Sequence, residues 1–144
     1  MQPQDPHFAS RVRESFGRQK AMALIGATLK SVAAGEVEVA LPYRDDLTQQ
    51  KGFVHGGILG MIADTACGYA AFSLMPARGS LVTVEYKINI LAPARGSLVA
   101  QGKVVRAGRT LTVARAEVYA EDGSHVASMQ QTLMSLPDTP DTRE

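Results

Sequence analysis

The sequence contains 144 residues, of which 45% are hydrophobic, and this length suits one compact domain with its own core. Fifteen Lys and Arg residues against 14 Asp and Glu residues give a net charge of +1, which argues against nucleic acid or a membrane surface as a steering partner. The single Cys67 excludes an internal disulfide framework and fits a reducing cytoplasm. Residues 1–20 hold no apolar segment of the secretory type, so we expect no secretory signal.

The predicted elements follow the order helix, two strands, long helix and four strands. Asp5 followed by Pro6 has the pattern of an N-cap with proline at the first helical position. Alternating apolar residues on both sides of Gly35 predict the first two strands. The predicted elements are a helix over residues 6–19, strands over 28–34 and 36–41, a polar loop over 42–54, a helix over 56–75, strands over 80–92, 98–106, 110–120 and 125–136, and a frayed tail over 137–144.

The long helix contains one charged residue, Asp64, among apolar neighbours. Four glycines and this carboxylate argue against a membrane span, because an Asp at the centre of a span costs about 2.5–3.5 kcal/mol on insertion scales. A helix that is apolar nearly all round is covered on most sides in a soluble protein. We therefore predict a buried helix that carries one carboxylate.

The element order predicts an α+β fold, in which a curved antiparallel sheet wraps the long helix and the last four strands pair as a meander. One sheet covers only one side of that helix, so the other side needs a second copy of the chain. We therefore expect a single domain over residues 1–144 that forms a homodimer, or a homotetramer built as a dimer of dimers.

Several short motifs carry a resemblance to a known family. They are Gly52-Phe53-Val54-His55-Gly56-Gly57, Asp64 nine positions after the histidine, Val82-Thr83-Val84-Glu85 through Leu91-Ala92-Pro93-Ala94, and Arg106-Ala107-Gly108-Arg109-Thr110. On these motifs, the sequence from about residue 26 to residue 136 resembles the hotdog-fold, PaaI-like acyl-CoA thioesterases. The resemblance implies an enzyme that hydrolyses an acyl-CoA substrate to a free acid and CoA, and that needs no metal or organic cofactor. We expect it to be cytoplasmic, as the single cysteine indicates.

Gly56 and Gly57 stand at the start of the long helix, where backbone N–H groups lack intrahelical partners and lie at the positive end of the helix dipole. Glycine also lets a ligand approach the backbone closely. Donors of this kind stabilise a developing oxyanion. The resemblance assigns that role to the Gly57 amide and makes Gly56 a substrate contact; tight packing is the alternative reason for the two glycines.

Asp64 is the candidate nucleophile or general base, and the sequence leaves both roles open. Apolar surroundings disfavour the charged form of a carboxyl group and strip its hydration, which makes it a better base or nucleophile. The alternative is a buried Asp that caps a nearby backbone or pairs with an arginine.

The resemblance also implies supporting roles for other residues. Gln49 falls where many relatives have an Asn that helps to hold the substrate or water, and Gln50 is an available substitute. His55 supports the loop and the thioester carbonyl, with loop packing as the alternative. Thr83 matches a position that orients the nucleophilic water, although Thr is also a common strand former.

Arg106 and Arg109 lie on a predicted hairpin that, by the resemblance, meets the phosphates of coenzyme A. Arginine suits phosphate geometry, and simple solvation is the alternative.

Cys67 is interpreted as a small buried hydrophobe rather than as a thiol nucleophile. The three His residues and one Cys show no metal-ligand spacing, so no metal site is predicted.

Helix geometry predicts a site shared between subunits. Asp64 lies nine residues after His55, which is about 13 Å along the axis and on the opposite side of the helix. Two antiparallel helices related by a two-fold axis bring Asp64 of one subunit to Gly57 of the other, together with His55 and Gln49.

Two other functions stay open at this point. One is a hotdog module that binds acyl-CoA without cleaving it, and Asp64 counts against that function because simple binding needs no carboxylate there. The other is a hotdog hydratase or dehydratase, and the absence of a histidine within the long helix counts against that function.

Overall fold

The long helix and the sheet predicted from the sequence are both present in a computed structural model, which describes residues 1–143. The α+β class is confirmed, with a curved antiparallel sheet, a central helix and a short N-terminal helix. The helices are α1 (Phe8–Gly17), α2 (Lys20–Ile25) and α3 (Gly56–Phe72), and a short 3-10 helix spans Asp45–Leu47. The strands are β1 (Thr28–Ala33), β2 (Glu36–Leu41), β3 (Gly79–Ile90), β4 (Leu98–Ala107), β5 (Leu111–Ala120) and β6 (His125–Pro137).

Two helices end earlier than the sequence predicts. The first ends at Gly17, and Gln19 adopts an extended conformation before the chain starts α2, an element that was not predicted. The long helix ends at Phe72 instead of residue 75, because the chain then tightens into shorter turns, in which the Met75 amide donates to the Phe72 carbonyl at 3.1 Å.

The predicted meander is wrong for the first of its four strands. The order in the sheet is β1-β2-β4-β5-β6-β3, and every neighbouring pair is antiparallel. β3 therefore pairs with β6 at the far edge instead of with β4, which follows it in the chain. The alternation of apolar residues identifies a strand, but it does not identify which strand becomes its partner.

The helix α3 packs very closely against the middle of the sheet. A Cβ atom placed on Gly102 of β4 would lie 2.3 Å from the Ala66 carbonyl oxygen of α3. Only glycine therefore fits at this point of β4 without moving the helix. Many fully buried residues of α3, β4 and β5 are likewise small: Ala63, Ala66, Cys67, Ala70, Ala100, Ala114 and Ala116.

Helix α1 packs against the C-terminal end of α3. The Nη2 atom of Arg11 donates to the carbonyls of Phe72 and Met75 at 3.3 and 2.8 Å, and its guanidinium lies 4.3 Å from the centre of the Phe72 ring. Asp5 accepts from Nε of Arg11 at 2.8 Å. A hydrogen bond from the His7 amide and the charge of Arg11 lower the pKa of Asp5. The last carbonyls of α3 are thus satisfied from within the chain.

β3 is an edge strand with an apolar exposed surface. Val82, Val84, Tyr86 and Ile90 are 43 to 55% exposed, although residues of this kind are normally buried. An edge strand also leaves backbone N–H and C=O groups available for pairing with another chain.

In the described part of the chain, the helices fall short of the combined length and apolarity that a membrane-spanning helix requires.

Candidate active site

One side of α3 stays partly open to solvent. Gly57 is exposed and Met61, Asp64 and Gly68 are half-buried, whereas the remaining residues from 59 to 72 are buried. These four positions are spaced by three or four residues and so form one stripe, which we call the open stripe. Gly57 and Asp64 therefore share a side of the helix. Seven residues still separate them by about 10 Å along the axis, too far for both to reach one reacting carbon.

The carboxylate of Asp64 is held by one of its two oxygens. Oδ1 accepts hydrogen bonds from Thr83 Oγ1 at 2.9 Å and from Gln131 Nε2 at 2.7 Å. Within residues 1–143, no group donates a hydrogen bond to Oδ2. The surroundings of Asp64 are therefore more polar than the helix sequence predicts, because the apolar residues beside it in sequence lie on other sides of α3.

At the N-terminus of α3, His55 caps the helix with its own side chain. His55 has extended backbone angles, and its Nδ1 atom accepts from the Gly57 amide at 2.8 Å. The amide that the sequence assigns to an oxyanion is thus occupied by an imidazole nitrogen. An accepting Nδ1 requires the ring to be neutral, with its hydrogen on Nε2. Because both residues are exposed, a ligand that displaces the ring gains access to the amide.

The loop before α3 holds the backbone of His55 in place, and it binds the Gln49 side chain within its own turn. The His55 amide donates to the Leu47 carbonyl at 2.9 Å, and the Gln49 amide donates to the Phe53 carbonyl at 2.8 Å. The side-chain oxygen of Gln49 accepts a hydrogen bond from the Lys51 amide, within the same turn. The structure therefore joins Asp64 to Thr83, and His55 to Gly57, but it does not bring the Gln49 side chain into either pair.

A cavity of about 290 Å³ opens beside Asp64 and Thr83. Its walls include apolar side chains of α2, α3 and β3: Met22, Met61, Phe72 and Leu81. Its polar lining includes Tyr69, whose hydroxyl lies 3.0 Å from Ser15 Oγ, and Asp141 of the C-terminal segment. Burial raises the pKa of the Tyr69 hydroxyl, which keeps it neutral. The cavity thus brings apolar walls and the Asp64 carboxylate together.

The two hairpin arginines lie near the opposite end of α3 from Gly57. Arg109 lines a second cavity, of about 730 Å³, together with Arg78, Leu74 and Met75. Arg106 is exposed on β4, beyond that lining. Neither hairpin arginine forms a salt bridge with any residue from 1 to 143.

Cys67 is a fully buried residue of α3. Burial raises the pKa of its thiol, and the nearby charges of Asp64 and Glu117 raise it further. The reactive thiolate is therefore strongly disfavoured, in agreement with the interpretation of Cys67 as a small hydrophobe. Among the residues that the structure describes, no three His, Cys, Asp or Glu side chains gather as a metal site.

Gln131 is the contact of Asp64 that sequence reasoning missed. Its signal is present in β6, where Ala127, Met129, Gln131 and Leu133 alternate with more exposed residues and are all 2% exposed or less. A single polar residue among inward-facing apolar positions is the same kind of signal that singled out Asp64. Strand alternation, applied to polar residues, would have found it.

Comparisons with known proteins agree with this architecture. Residues 51–127 match the family model of the thioesterase superfamily. A solved thioesterase family protein from Silicibacter pomeroyi is 48% identical, covers 90% of this chain and 98% of its own, and superposes with a TM-score of 0.87. The medium/long-chain acyl-CoA thioesterase YigI of Salmonella typhimurium is 26% identical over 98 residues, which are 58% of this chain and 63% of that protein. The Escherichia coli PaaI protein from the phenylacetic acid degradation operon is 23% identical with a TM-score of 0.84, which shows a common fold.

The helix wrapped by an antiparallel sheet is the hotdog fold, and the matches to thioesterases identify a thioester hydrolase. This chain belongs to the thioesterase superfamily, whose model covers more than half of its length.

Proposed function

We propose that the protein hydrolyses acyl-CoA thioesters, with Asp64 as the nucleophile or general base and the Gly57 amide as the oxyanion donor. The observation that carries this proposal is the state of Asp64: two donors hold Oδ1, Oδ2 accepts nothing within residues 1–143, and the carboxylate faces a cavity. A carboxylate held in this way is oriented for attack on a carbonyl or for proton abstraction from water. The similarity to YigI, an acyl-CoA thioesterase by name, supports CoA as the leaving group.

The acyl group is proposed to occupy the cavity beside Asp64. Its volume of about 290 Å³ is near the lower limit for small-molecule pockets, which suits an acyl chain or an aryl group but not a whole CoA thioester. Coenzyme A must then extend over the surface, where Arg106 and Arg109 are the proposed phosphate contacts.

The complete site is proposed to require two subunits. Asp64 and Gly57 of one chain lie about 10 Å apart along α3, whereas a reacting carbonyl must meet both within about 3 Å. A two-fold axis beside the open stripe would place each Asp64 near the partner's Gly57. The exposed apolar edge of β3 supports such a pairing, because a second copy of β3 would cover it and satisfy its backbone groups.

Asp64→Asn tests the catalytic assignment. Asn is nearly isosteric and keeps an oxygen that accepts from Thr83 and Gln131, so the fold should persist while the charge is lost. We expect kcat to fall by at least about 10² in a thiol-release assay over aliphatic and aryl CoA thioesters. Asp46→Asn, which changes an exposed carboxylate paired with Arg44, is the matched control.

Retention of more than about a tenth of wild-type kcat by Asp64→Asn would contradict its role as base or nucleophile. If the wild-type protein binds CoA thioesters but cleaves none of them, the proposal fails in favour of an acyl-CoA-binding module.

Mixed dimers test the shared site. Asp64→Asn and Gly57→Pro are each expected to be inactive alone, because each removes one half of every site. A dimer with one chain of each kind holds one doubly damaged site and one intact site, and should recover about half of wild-type turnover by symmetry. The mixed species can be purified with two different affinity tags. Mixed dimers that stay inactive would contradict the shared site.

A further inference from the structure

The side chain of Gln131 is fully buried, yet it carries a polar amide toward the catalytic carboxylate. Its Nε2 donates to Asp64 Oδ1 at 2.7 Å and to Thr83 Oγ1 at 2.9 Å, so both amide hydrogens are used. The opposite orientation of the amide would set its oxygen against a carboxylate oxygen. The neighbouring carboxylate therefore determines which atom of the amide faces Asp64.

Thr83 closes a triangle of hydrogen bonds with these two residues. A carboxylate accepts only, so the Thr83 hydroxyl donates its hydrogen to Asp64 Oδ1 at 2.9 Å. The same hydroxyl accepts from Gln131, which fixes the direction of its hydrogen. Oδ1 is then held from two directions, rotation of the carboxylate is restricted, and Oδ2 is left as the oxygen that can react.

The other end of the Gln131 amide is poorly satisfied. Its Oε1 is buried and finds no hydrogen-bond partner within residues 1–143. A buried acceptor without a partner costs stability, whereas a Met of similar volume at the same position would carry no such cost. What the glutamine provides at this cost is its pair of hydrogen bonds to Asp64 and Thr83. Residues that are unfavourable for stability are often kept for function.

We propose that Gln131 is a positioning residue, which fixes Asp64 through Oδ1 so that Oδ2 is presented to the substrate. This inference rests on the proposed function of Asp64 and assigns the strand β6 a part in the site. Gln131 is fully buried and does not line the cavity beside Asp64. It acts on catalysis only through Asp64 and Thr83.

Gln131→Met removes both donors and conserves the volume of the side chain. We expect a folded protein with an unchanged or higher Tm, an unchanged KM, and a kcat that is about 10- to 100-fold lower, since a small misplacement of a catalytic group has effects of this size. The matched control is Gln130→Met, which changes the exposed neighbour on the other face of β6. A merely structural role for Gln131 would lower Tm and leave kcat per folded molecule unchanged, which would overturn the proposal.

The carbon-13 chemical shift of the Asp64 carboxyl group provides a readout that needs no activity. Loss of the Gln131 donor to Oδ1 should change this chemical shift in Gln131→Met, and Gln130→Met should leave it unchanged. An Asp64 carboxyl shift identical in the wild-type and Gln131→Met proteins would overturn the proposal, even if the wild-type protein cleaves no CoA thioester and the proposed function fails.

Gln131→Glu keeps the inference testable if the Met variant does not fold. This substitution is nearly isosteric, and it replaces the amide that donates to Asp64 Oδ1 with a second carboxyl group, which cannot hold Oδ1 when it is charged. We expect kcat to fall by about tenfold or more with KM unchanged. A kcat equal to that of the wild-type protein would contradict the proposal.

Discussion

The two ends of α3 differ in how the chain satisfies their backbone groups. At the C-terminal end, Arg11 donates to the carbonyls of Phe72 and Met75 and lies against the Phe72 ring. At the N-terminal end, the Gly57 amide is capped only by the exposed ring of His55, two residues away. The C-terminal end of α3 is thus bound by α1, which is far away in sequence. The N-terminal end has only a local cap, which a ligand could displace. An exposed and local cap of this kind is what the proposed oxyanion role of the Gly57 amide requires.

The largest effect is expected from removing the Gly57 amide hydrogen. Gly57→Pro lies in the first turn, where proline is tolerated, so the fold should persist while the donor is lost. We expect kcat for a CoA thioester to fall by about 10²–10³, the usual loss for one oxyanion donor.

Gly57→Ala is the control for Gly57→Pro, because it adds side-chain bulk without removing the amide hydrogen. It keeps the N–H, although its Cβ would lie 3.0 Å from His55 Nδ1, so the imidazole must shift. If the Ala and Pro variants lose kcat equally, the amide of Gly57 is not the oxyanion donor.

The next effect concerns stability at the C-terminal end. Arg11→Met removes the donor to two carbonyls and leaves the buried carboxylate of Asp5 without its guanidinium partner. We expect the free energy of unfolding to fall by about 2–4 kcal/mol in urea titrations, with kcat of the folded protein unchanged. Arg13→Met, on the exposed side of the same helix, is the control and should change stability by less than about 0.5 kcal/mol. Equal losses in the two variants would contradict a specific role for Arg11.

The smallest effect is expected at the hairpin near the C-terminal end of α3. Changing both Arg106 and Arg109 to Ala should raise KM for CoA thioesters by about five- to tenfold and leave kcat nearly unchanged, because exposed charges add binding remote from the reacting centre. Arg115→Ala, an exposed arginine farther along β5, is the control. A loss of kcat with KM intact would mean that the hairpin does not bind the phosphates.

What the sequence predicts well are features that are local. The glycines after His55 and the lone carboxylate of Asp64 stand out because each contradicts the pattern around it. The strand limits follow from alternation in the same way, and all of them agree with the structure to within two residues.

What the sequence does not predict are pairings between distant segments. The Arg11 contacts join residues more than 60 positions apart, and nothing near Arg11 indicates its partners. The pairing of β3 with β6 has the same character, since the alternation along β3 does not identify its partner. The His55 cap is local but depends on a side-chain rotation that the sequence does not specify.

The contact of Gly102 with Ala66 determines where this enzyme can change over evolutionary time. Because β4 and α3 meet there backbone to backbone, the helix that carries the carboxylate has no room to slide or tilt on the sheet. If the acyl group occupies the cavity beside Asp64 as proposed, its range can change only through the lining that other elements supply, which includes Ser15, Gln19, Met22 and Asp141. Ser15 and Met22 are buried, whereas Gln19 and Asp141 are exposed and leave the most room for substitution. Substitutions at Gln19 and Asp141 are therefore the proposed route to a different acyl group, because they leave Asp64 and α3 unchanged.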